Sequence, residues 1–195
     1  MLASDRVLDG AARARVNYVA VGATSDPNLM RFPPKGYAPF ERSVRVGFGD
    51  RRWEFAVDEL MTWRIKSRAG FWIRRLAAAD VDGDLTYSAN GELYATPGET
   101  AVLGVRILPF REPVRVISVI QEENRRGFRY GTLPGHPLEG EEQLVVERRD
   151  DGGVWLVVRA FARPASWGWR LMSPALAVIR RIVIIRYADA LSRKL

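Results

Sequence analysis

The middle of the chain is a succession of strand-like stretches with short turns, and this pattern constrains the fold more than any other feature. The stretches are 71–78, 85–95, 100–108, 114–121, 127–133, 142–148 and 154–161. Their turn-forming pairs are Asp82-Gly83, Asn90-Gly91, Pro97-Gly98 and Asp151-Gly152. Because these residue types tolerate the left-handed backbone of hairpin turns, we expect consecutive stretches to pair as an antiparallel meander.

A short strand and a helix precede the meander. Residues 43–46 alternate as a strand, and the apolar period that follows predicts one continuous helix over 50–66. One face of this helix carries Trp53, Ala56, Leu60 and Trp63. Lys66 falls mostly on another face, so we expect the tryptophans to pack on the sheet while Lys66 stays outside.

The last part of the chain returns to a helical period and predicts one long helix over 166–191. Its apolar stripe, at spacings of three and four, is Leu171, Ala175, Val178, Ile182 and Ile185. Arg180, Arg181 and Arg186 interrupt every window long enough to span a bilayer. The pattern therefore predicts no membrane span and an α+β domain whose sheet clasps the terminal helix.

The length of the chain and the positions of its prolines and glycines favour one domain. The 195 residues fit a single large folding unit, expected over 17–195 after a tail at 1–16. Residues 17–23 are short and apolar, and form either an extra edge strand or a packed extended arm. Prolines and glycines at 25–39 indicate a long surface connection.

The composition excludes several kinds of chemistry. The chain has no cysteine, which excludes disulfides, thiolate metal sites, iron–sulfur clusters and a cysteine nucleophile. The N-terminus lacks the apolar core of a secretory signal, so we expect a cytoplasmic location. All but three of the 30 basic residues are arginine, and the net charge is +7. These dispersed arginines either attract phosphate-bearing partners or form ordinary solvated faces.

The sequence lacks the common nucleotide and metal motifs. Gly47-Phe48-Gly49 has no third glycine of a dinucleotide fingerprint, and no Walker loop or nucleophile elbow occurs. The stretch 80–84 resembles the start of a calcium loop but has Leu85 and Gly91 where that loop needs glycine and glutamate. We expect no metal site and no cofactor. The single histidine, His136, either shapes a tight turn or acts as a general base.

The hairpin at Asp151-Gly152 decides which residues share a sheet face. A two-residue loop pairs Arg148 with Trp155. One face then carries Glu142, Leu144, Val146, Trp155, Val157, Arg159 and Phe161. Glu142 and Arg159 become diagonal neighbours, either as a charged pair lining an apolar cup or as a surface ion pair.

Several stretches resemble a bacterial and plant family of domains of unknown function. The longest is Gly127-Phe128-Arg129-Tyr130-Gly131-Thr132-Leu133-Pro134-Gly135-His136-Pro137, followed by Gly140-Glu141-Glu142. Others are Tyr18 with 21–24, 60–64 with 68–70, 154–155 and 161–165.

That family looks like a branch of the superfamily that includes START lipid-transfer domains, polyketide cyclases and birch-pollen-allergen-like proteins. The resemblance implies a helix-grip fold, an antiparallel sheet of about seven strands wrapped around the terminal helix. It also implies a pocket for an apolar ligand, without an established ligand or reaction. Such proteins usually have two short helices after the first strand, where this sequence predicts one. Residues 17–39 lie outside the minimal superfamily pattern and are expected to plug or cover the cavity.

The leading functional hypothesis is a protein that binds a small hydrophobic or amphipathic molecule in an apolar cup. The expected ligand-binding residues are Trp63, Tyr130, Trp155 and Phe161. The alternative is a cyclase- or hydrolase-like enzyme, with Tyr130, His136, Glu142 and Arg159 as candidate catalytic residues. A second alternative is anion-dependent docking on nucleic acid or a membrane surface, without recognition of a specific nucleic-acid sequence.

Overall fold

The structure is a computed structural model that describes residues 10–76, 85–105 and 111–193. The strands are β1 (Ala38–Phe48), β2 (Phe71–Leu76), β3 (Thr100–Val105), β4 (Glu112–Glu122), β5 (Arg125–Thr132), β6 (Leu138–Arg148) and β7 (Gly153–Pro164). The helices are α1 (Asp50–Met61), α2 (Arg64–Arg68), α3 (Trp167–Leu171) and α4 (Ser173–Ser192).

Across the described ranges, seven antiparallel strands form one sheet in the order β1-β7-β6-β5-β4-β3-β2. Pairing of neighbours from β2 to β7 confirms the predicted meander, and β1 closes the sheet beside β7. The inner face packs against α1, α2 and α4 around one large apolar core. This is the α+β helix-grip arrangement expected from the sequence.

The helix predicted over 50–66 is two helices, so the prediction of one helix after the first strand was wrong in this detail. α1 ends at Met61 and α2 begins at Arg64, because Trp63 has a left-handed backbone with a φ of 65°. That conformation is unusual for a bulky residue. It directs the indole into the core, where its centroid lies 4.6 Å from the ring of Phe128. Core packing thus overrides the helical period of the sequence.

Residues 85–95 are not a strand of the sheet, contrary to the prediction. In the described part of this segment a single bridge joins Tyr87 to Leu93. The segment folds back on itself at Asn90-Gly91, where Gly91 has a φ of 76°. The turn-forming pair inside the stretch is therefore the reason that the stretch is not a strand. Residues 77–78 and 106–108 of two other predicted strands, and the 80–84 turn, lie outside the described residues.

The hairpin between β6 and β7 has a register one residue away from the predicted one. Arg148 pairs with Val154 rather than with Trp155, and Glu142 pairs with Ala160. The loop has three residues, 150–152, and ends in a left-handed Gly152 with a φ of 76°. Because side chains alternate along a strand, this shift moves every β7 side chain to the opposite face from the one predicted.

The single helix predicted over 166–191 is two helices, because α3 ends at Leu171 and α4 begins at Ser173. The predicted apolar stripe does not face the sheet. Val178, Ile182 and Ile185 are exposed. The buried side of α4 carries Ile184, Tyr187, Ala188, Ala190 and Leu191. Because apolar residues occur on both sides of α4, periodicity alone did not identify the buried one. No described helix combines the length and apolarity needed to cross a bilayer.

Residues 10–37 cover the outer face of the sheet and do not enter the space between sheet and α4. The stretch at 17–23 is a packed arm rather than an edge strand. Its Tyr18 packs on Phe161 of β7, with ring centroids 5.7 Å apart. Residues 10–16, predicted to be a tail, also contact the sheet, because the Arg115 guanidinium donates to backbone carbonyls of this segment at 2.7–3.0 Å.

Glu141 of β6 holds the arm to the outer face. Its side chain is almost fully buried, with 3% exposure. The carboxylate accepts hydrogen bonds from the Tyr18 hydroxyl at 2.8 Å and from the backbone amides of Gly22 at 2.7 Å and Thr24 at 3.1 Å. It also accepts from the Thr24 hydroxyl. Two separate stretches of the family resemblance, 18–24 and 140–142, therefore meet at one carboxylate.

Candidate functional site

A cavity of about 150 Å³ lies between the inner face of the sheet, α2, the turn after β5 and α4. Its apolar wall includes Phe71, Ala160, Leu176, Ile179 and Val183. Its polar lining includes Lys66, Glu112, Tyr130, His136, Glu142, Arg180 and Tyr187. The cavity is therefore amphipathic, because polar groups of the sheet, α2 and α4 meet aliphatic side chains of α4 in it.

The polar groups gather around Lys66, whose side chain is only 4% exposed. The ammonium nitrogen Nζ lies 3.2 Å from Oε1 of Glu142 and donates to the Tyr130 hydroxyl. That hydroxyl donates in turn to the same Glu142 oxygen. Nζ also lies 4.5 Å from the ring centroid of Tyr130 and 5.0 Å from that of Tyr187, so two aromatic faces help to stabilise the buried cation.

Burial and nearby negative charge raise the pKa of three neighbouring groups, Tyr130, Tyr187 and Glu112. Burial, and then the charge of Glu142, raise the pKa of Tyr130 well above its ordinary value. Burial, Glu142 and Glu112 do the same for Tyr187. The pKa of Glu112 is raised chiefly by burial, and the opposing effect of Lys66 does not cancel the rise. The phenols therefore remain hydrogen-bond donors at neutral pH.

His136 borders the cavity in the turn between β5 and β6. Its Nδ1 lies 2.9 Å from the amide nitrogen and 3.0 Å from the carbonyl oxygen of Leu138, so the backbone fixes the ring. Burial lowers the pKa of His136 to about 3, and the charge of Lys66 acts in the same direction. The imidazole is therefore neutral near pH 7.

The predicted Glu142–Arg159 pair does not form, because the register shift places the two side chains on opposite faces. Glu142 points to Lys66, whereas Arg159 lies on the outer face 2.8 Å from Glu41. The Arg159 guanidinium also donates to the carbonyls of Thr24 and Asp26. Of the four candidate catalytic residues, the cavity brings together Tyr130, His136 and Glu142.

The four expected ligand-binding residues are likewise divided between the cavity, the adjoining core and the outer face of the sheet. Tyr130 lines the cavity, while Trp63 is buried in the adjoining core. The ring of Phe161 packs on the outer face against Tyr18 and Tyr37, although residue 161 borders the cavity. Trp155 lies on the outer face, with the Arg149 guanidinium 3.9 Å from its ring centroid.

The predicted site residues did not include Lys66, Glu112, Arg180 or Tyr187, which belong to the polar lining of the cavity. Lys66 was placed on the outer side of a continuous helix, and the break at Trp63 rotates it inward. The sequence pattern indicates Arg180 only as an interruption of an apolar helix. No sequence signal distinguished them, since Lys66 lies among polar residues at 64–68, Glu112 follows Arg111 and Arg180 precedes Arg181.

The buried Lys66–Glu142 pair predicts strong coupling between two substitutions. Lys66→Met or Glu142→Gln alone removes one partner of the pair, whereas the double variant removes both. We expect a coupling of about 1–2 kcal/mol in unfolding free energies measured by urea titration. The exposed pair Arg125–Glu122, at 3.1 Å, is the control and should couple by less than about 0.5 kcal/mol. Equal coupling in the two cycles would contradict this assignment.

Residues 17–190 match the sequence model of DUF1990, a domain of unknown function, and the chain belongs to this family. A UPF0548 protein of Deinococcus radiodurans is 39% identical over 79 residues, covering 40% of each chain. A UPF0548 protein of Arabidopsis thaliana is 34% identical over 84 residues, covering 37% of this chain and 41% of the relative. The matches thus cover about two fifths of these relatives, and they bear out the expected bacterial and plant family.

A solved structure shows the same fold at low sequence identity. A hypothetical protein of Helicobacter pylori superposes with a TM-score of 0.56 and 8% identity, covering 91% of this chain and 94% of that one. A START superfamily protein of Mycobacterium smegmatis gives a TM-score of 0.48 and 12% identity, covering 80% and 95% of the two chains.

Proposed function

We propose that this member of the DUF1990 family binds a small amphipathic molecule in the cavity between the sheet and α4. The observation that carries the proposal is that one cavity combines a cluster of polar groups around Lys66 with aliphatic side chains of α4. Burying polar groups costs free energy unless they are hydrogen-bonded. A cavity that places several polar groups beside apolar walls therefore suits a ligand with a polar and an apolar part.

The arrangement of polar groups favours a ligand whose head accepts hydrogen bonds. Lys66 and Glu142 balance one another, so the pair adds no net charge to the cavity. The Tyr187 hydroxyl offers a donor beside them, and Arg180 adds a cation from α4. A carbonyl or carboxylate group would satisfy these donors, while the rest of the ligand contacts Leu176, Ile179 and Val183.

The size of the cavity limits the ligand. A volume of about 150 Å³ is below the range of roughly 300–1,000 Å³ typical of sites for drug-sized molecules. The ligand is therefore small, or only part of it is enclosed.

The proposal is tested by mass spectrometry of molecules extracted from the purified protein. Val183 lines the cavity, so Val183→Phe fills it, and this variant should lose most of the molecule carried by the wild type. Val178→Phe makes the same change on the exposed side of the same helix and should retain it. Equal occupancy of the Val183→Phe and wild-type proteins, at matched thermal stability, would refute the proposal.

A further inference from the structure

Helices α3 and α4 carry a row of exposed apolar side chains. Its members, called the terminal-helix stripe, are Trp167, Leu171, Met172, Val178, Ile182 and Ile185, with exposures of 77%, 72%, 50%, 60%, 45% and 54%. Single exposed apolar residues are common on soluble proteins, but a cluster of this kind marks an interaction surface.

The charges beside the stripe have one sign along most of its length. Arg170, Arg181 and Arg186 are exposed on these helices, and residues 152–188 contain no aspartate or glutamate. Within the described residues, no carboxylate pairs with Arg170 or Arg181. Asp189, at the end of the stripe, is the first acidic residue after this interval.

The positive charge of these arginines decides between two partners for the stripe, a second copy of the chain and an anionic lipid surface. A second copy of the chain packed on the stripe would bring arginines of the same face together, and that repulsion opposes association. An anionic lipid surface offers both an apolar interior for the stripe and negative headgroups for the arginines. Tryptophan is enriched at membrane interfaces, where its ring and its N–H group meet different environments, and Trp167 is the most exposed residue of the stripe.

We propose that the terminal-helix stripe docks on anionic lipid bilayers, with α3 and α4 lying in the plane of the interface. The aliphatic side chains enter the boundary between headgroups and acyl chains, and Arg170 and Arg181 contact the lipid phosphates. The docking surface does not depend on the cavity ligand, because Leu176, Val183 and Tyr187 line the cavity from the opposite side of α4. One helix therefore separates the cavity from the bilayer.

Co-sedimentation with vesicles of phosphatidylcholine, with and without phosphatidylglycerol, tests this surface. The wild type should bind the vesicles that contain phosphatidylglycerol, and Val178→Asp should weaken binding by about tenfold because it places a carboxylate in the stripe. Val19→Asp is the matched control, since Val19 is 97% exposed on the arm at the other side of the sheet. Equal loss in the two variants, or no binding by the wild type, would overturn the proposal.

A second variant keeps the stripe and changes only its charge. Arg170→Glu combined with Arg181→Glu should weaken binding by more than the factor of about five expected for the loss of one arginine contact. Sedimentation velocity without lipid tests the alternative partner of the stripe, a second copy of the chain. A dimer that Val178→Asp dissociates, together with no vesicle binding, would assign the stripe to a second copy and refute membrane docking.

Discussion

Trp63→Ala should lower the free energy of unfolding by about 3–5 kcal/mol, as expected for a large aromatic residue removed from a core. The side chain is 1% exposed and its ring centroid lies 4.6 Å from that of Phe128 and 5.7 Å from that of Tyr130. Packing accounts for this effect, because the buried indole Nε1 has no hydrogen-bond partner among the described residues. Urea titration followed by far-ultraviolet circular dichroism measures the loss.

Trp167→Ala is the matched control for Trp63→Ala. Trp167 is 77% exposed, so its truncation should change the unfolding free energy by no more than about 0.5 kcal/mol. Trp63 also ends α1 through its left-handed backbone, and the variant tests whether its burial holds α2 in place. A Trp63→Ala protein as stable as the wild type would show that the break between the helices does not depend on this side chain.

Glu141→Ala should cost about 3 kcal/mol or more, since it removes the acceptor shared by four donors of the N-terminal arm. Hydrogen bonds to a charged group are stronger than neutral ones, and donors left buried without a partner add a further penalty. Two measurements address this prediction. The unfolding free energy should fall, and the backbone amides of Gly22 and Thr24 should lose protection from hydrogen exchange.

Glu139→Ala provides the comparison on the same strand and the same face. Glu139 pairs with Arg163, whose side chain is 46% exposed, so its loss should cost less than about 1 kcal/mol. If Glu141→Ala were no more damaging than Glu139→Ala, the arm would be held to the sheet by its apolar contacts rather than by the buried carboxylate.

The strands and helices were largely predictable because local rules govern them. Turn-forming pairs and strand-like stretches gave the meander, and the helical period of the last segment gave α4. The same rules failed where a turn pair lay inside a stretch, as at Asn90-Gly91, and where packing broke a helical period, as at Trp63. A local pattern does not contain the distant aromatic rings that make the left-handed turn at Trp63 favourable.

The cavity could be predicted only in part. Tyr130, His136 and Glu142 were singled out from the sequence, and they do border one cavity. Lys66 was not, because its inward orientation follows from the helix break. Arg159 was predicted to line the cavity but lies on the outer face. The three-residue loop shifts the hairpin register by one residue, and this shift moves every side chain of β7 to the opposite face of the sheet.

The sequence by itself determined the α+β class, the meander, the terminal helix and the exclusion of cysteine chemistry, because composition and short-range periodicity encode them. The tertiary structure alone decided which side of α4 is buried, which face of β7 meets the helices, and that Lys66 joins Glu142. Both sides of α4 are apolar, both faces of the β6–β7 hairpin are mixed, and Lys66 lies 76 residues from Glu142. Long-range packing selects among alternatives that a local pattern leaves nearly equivalent.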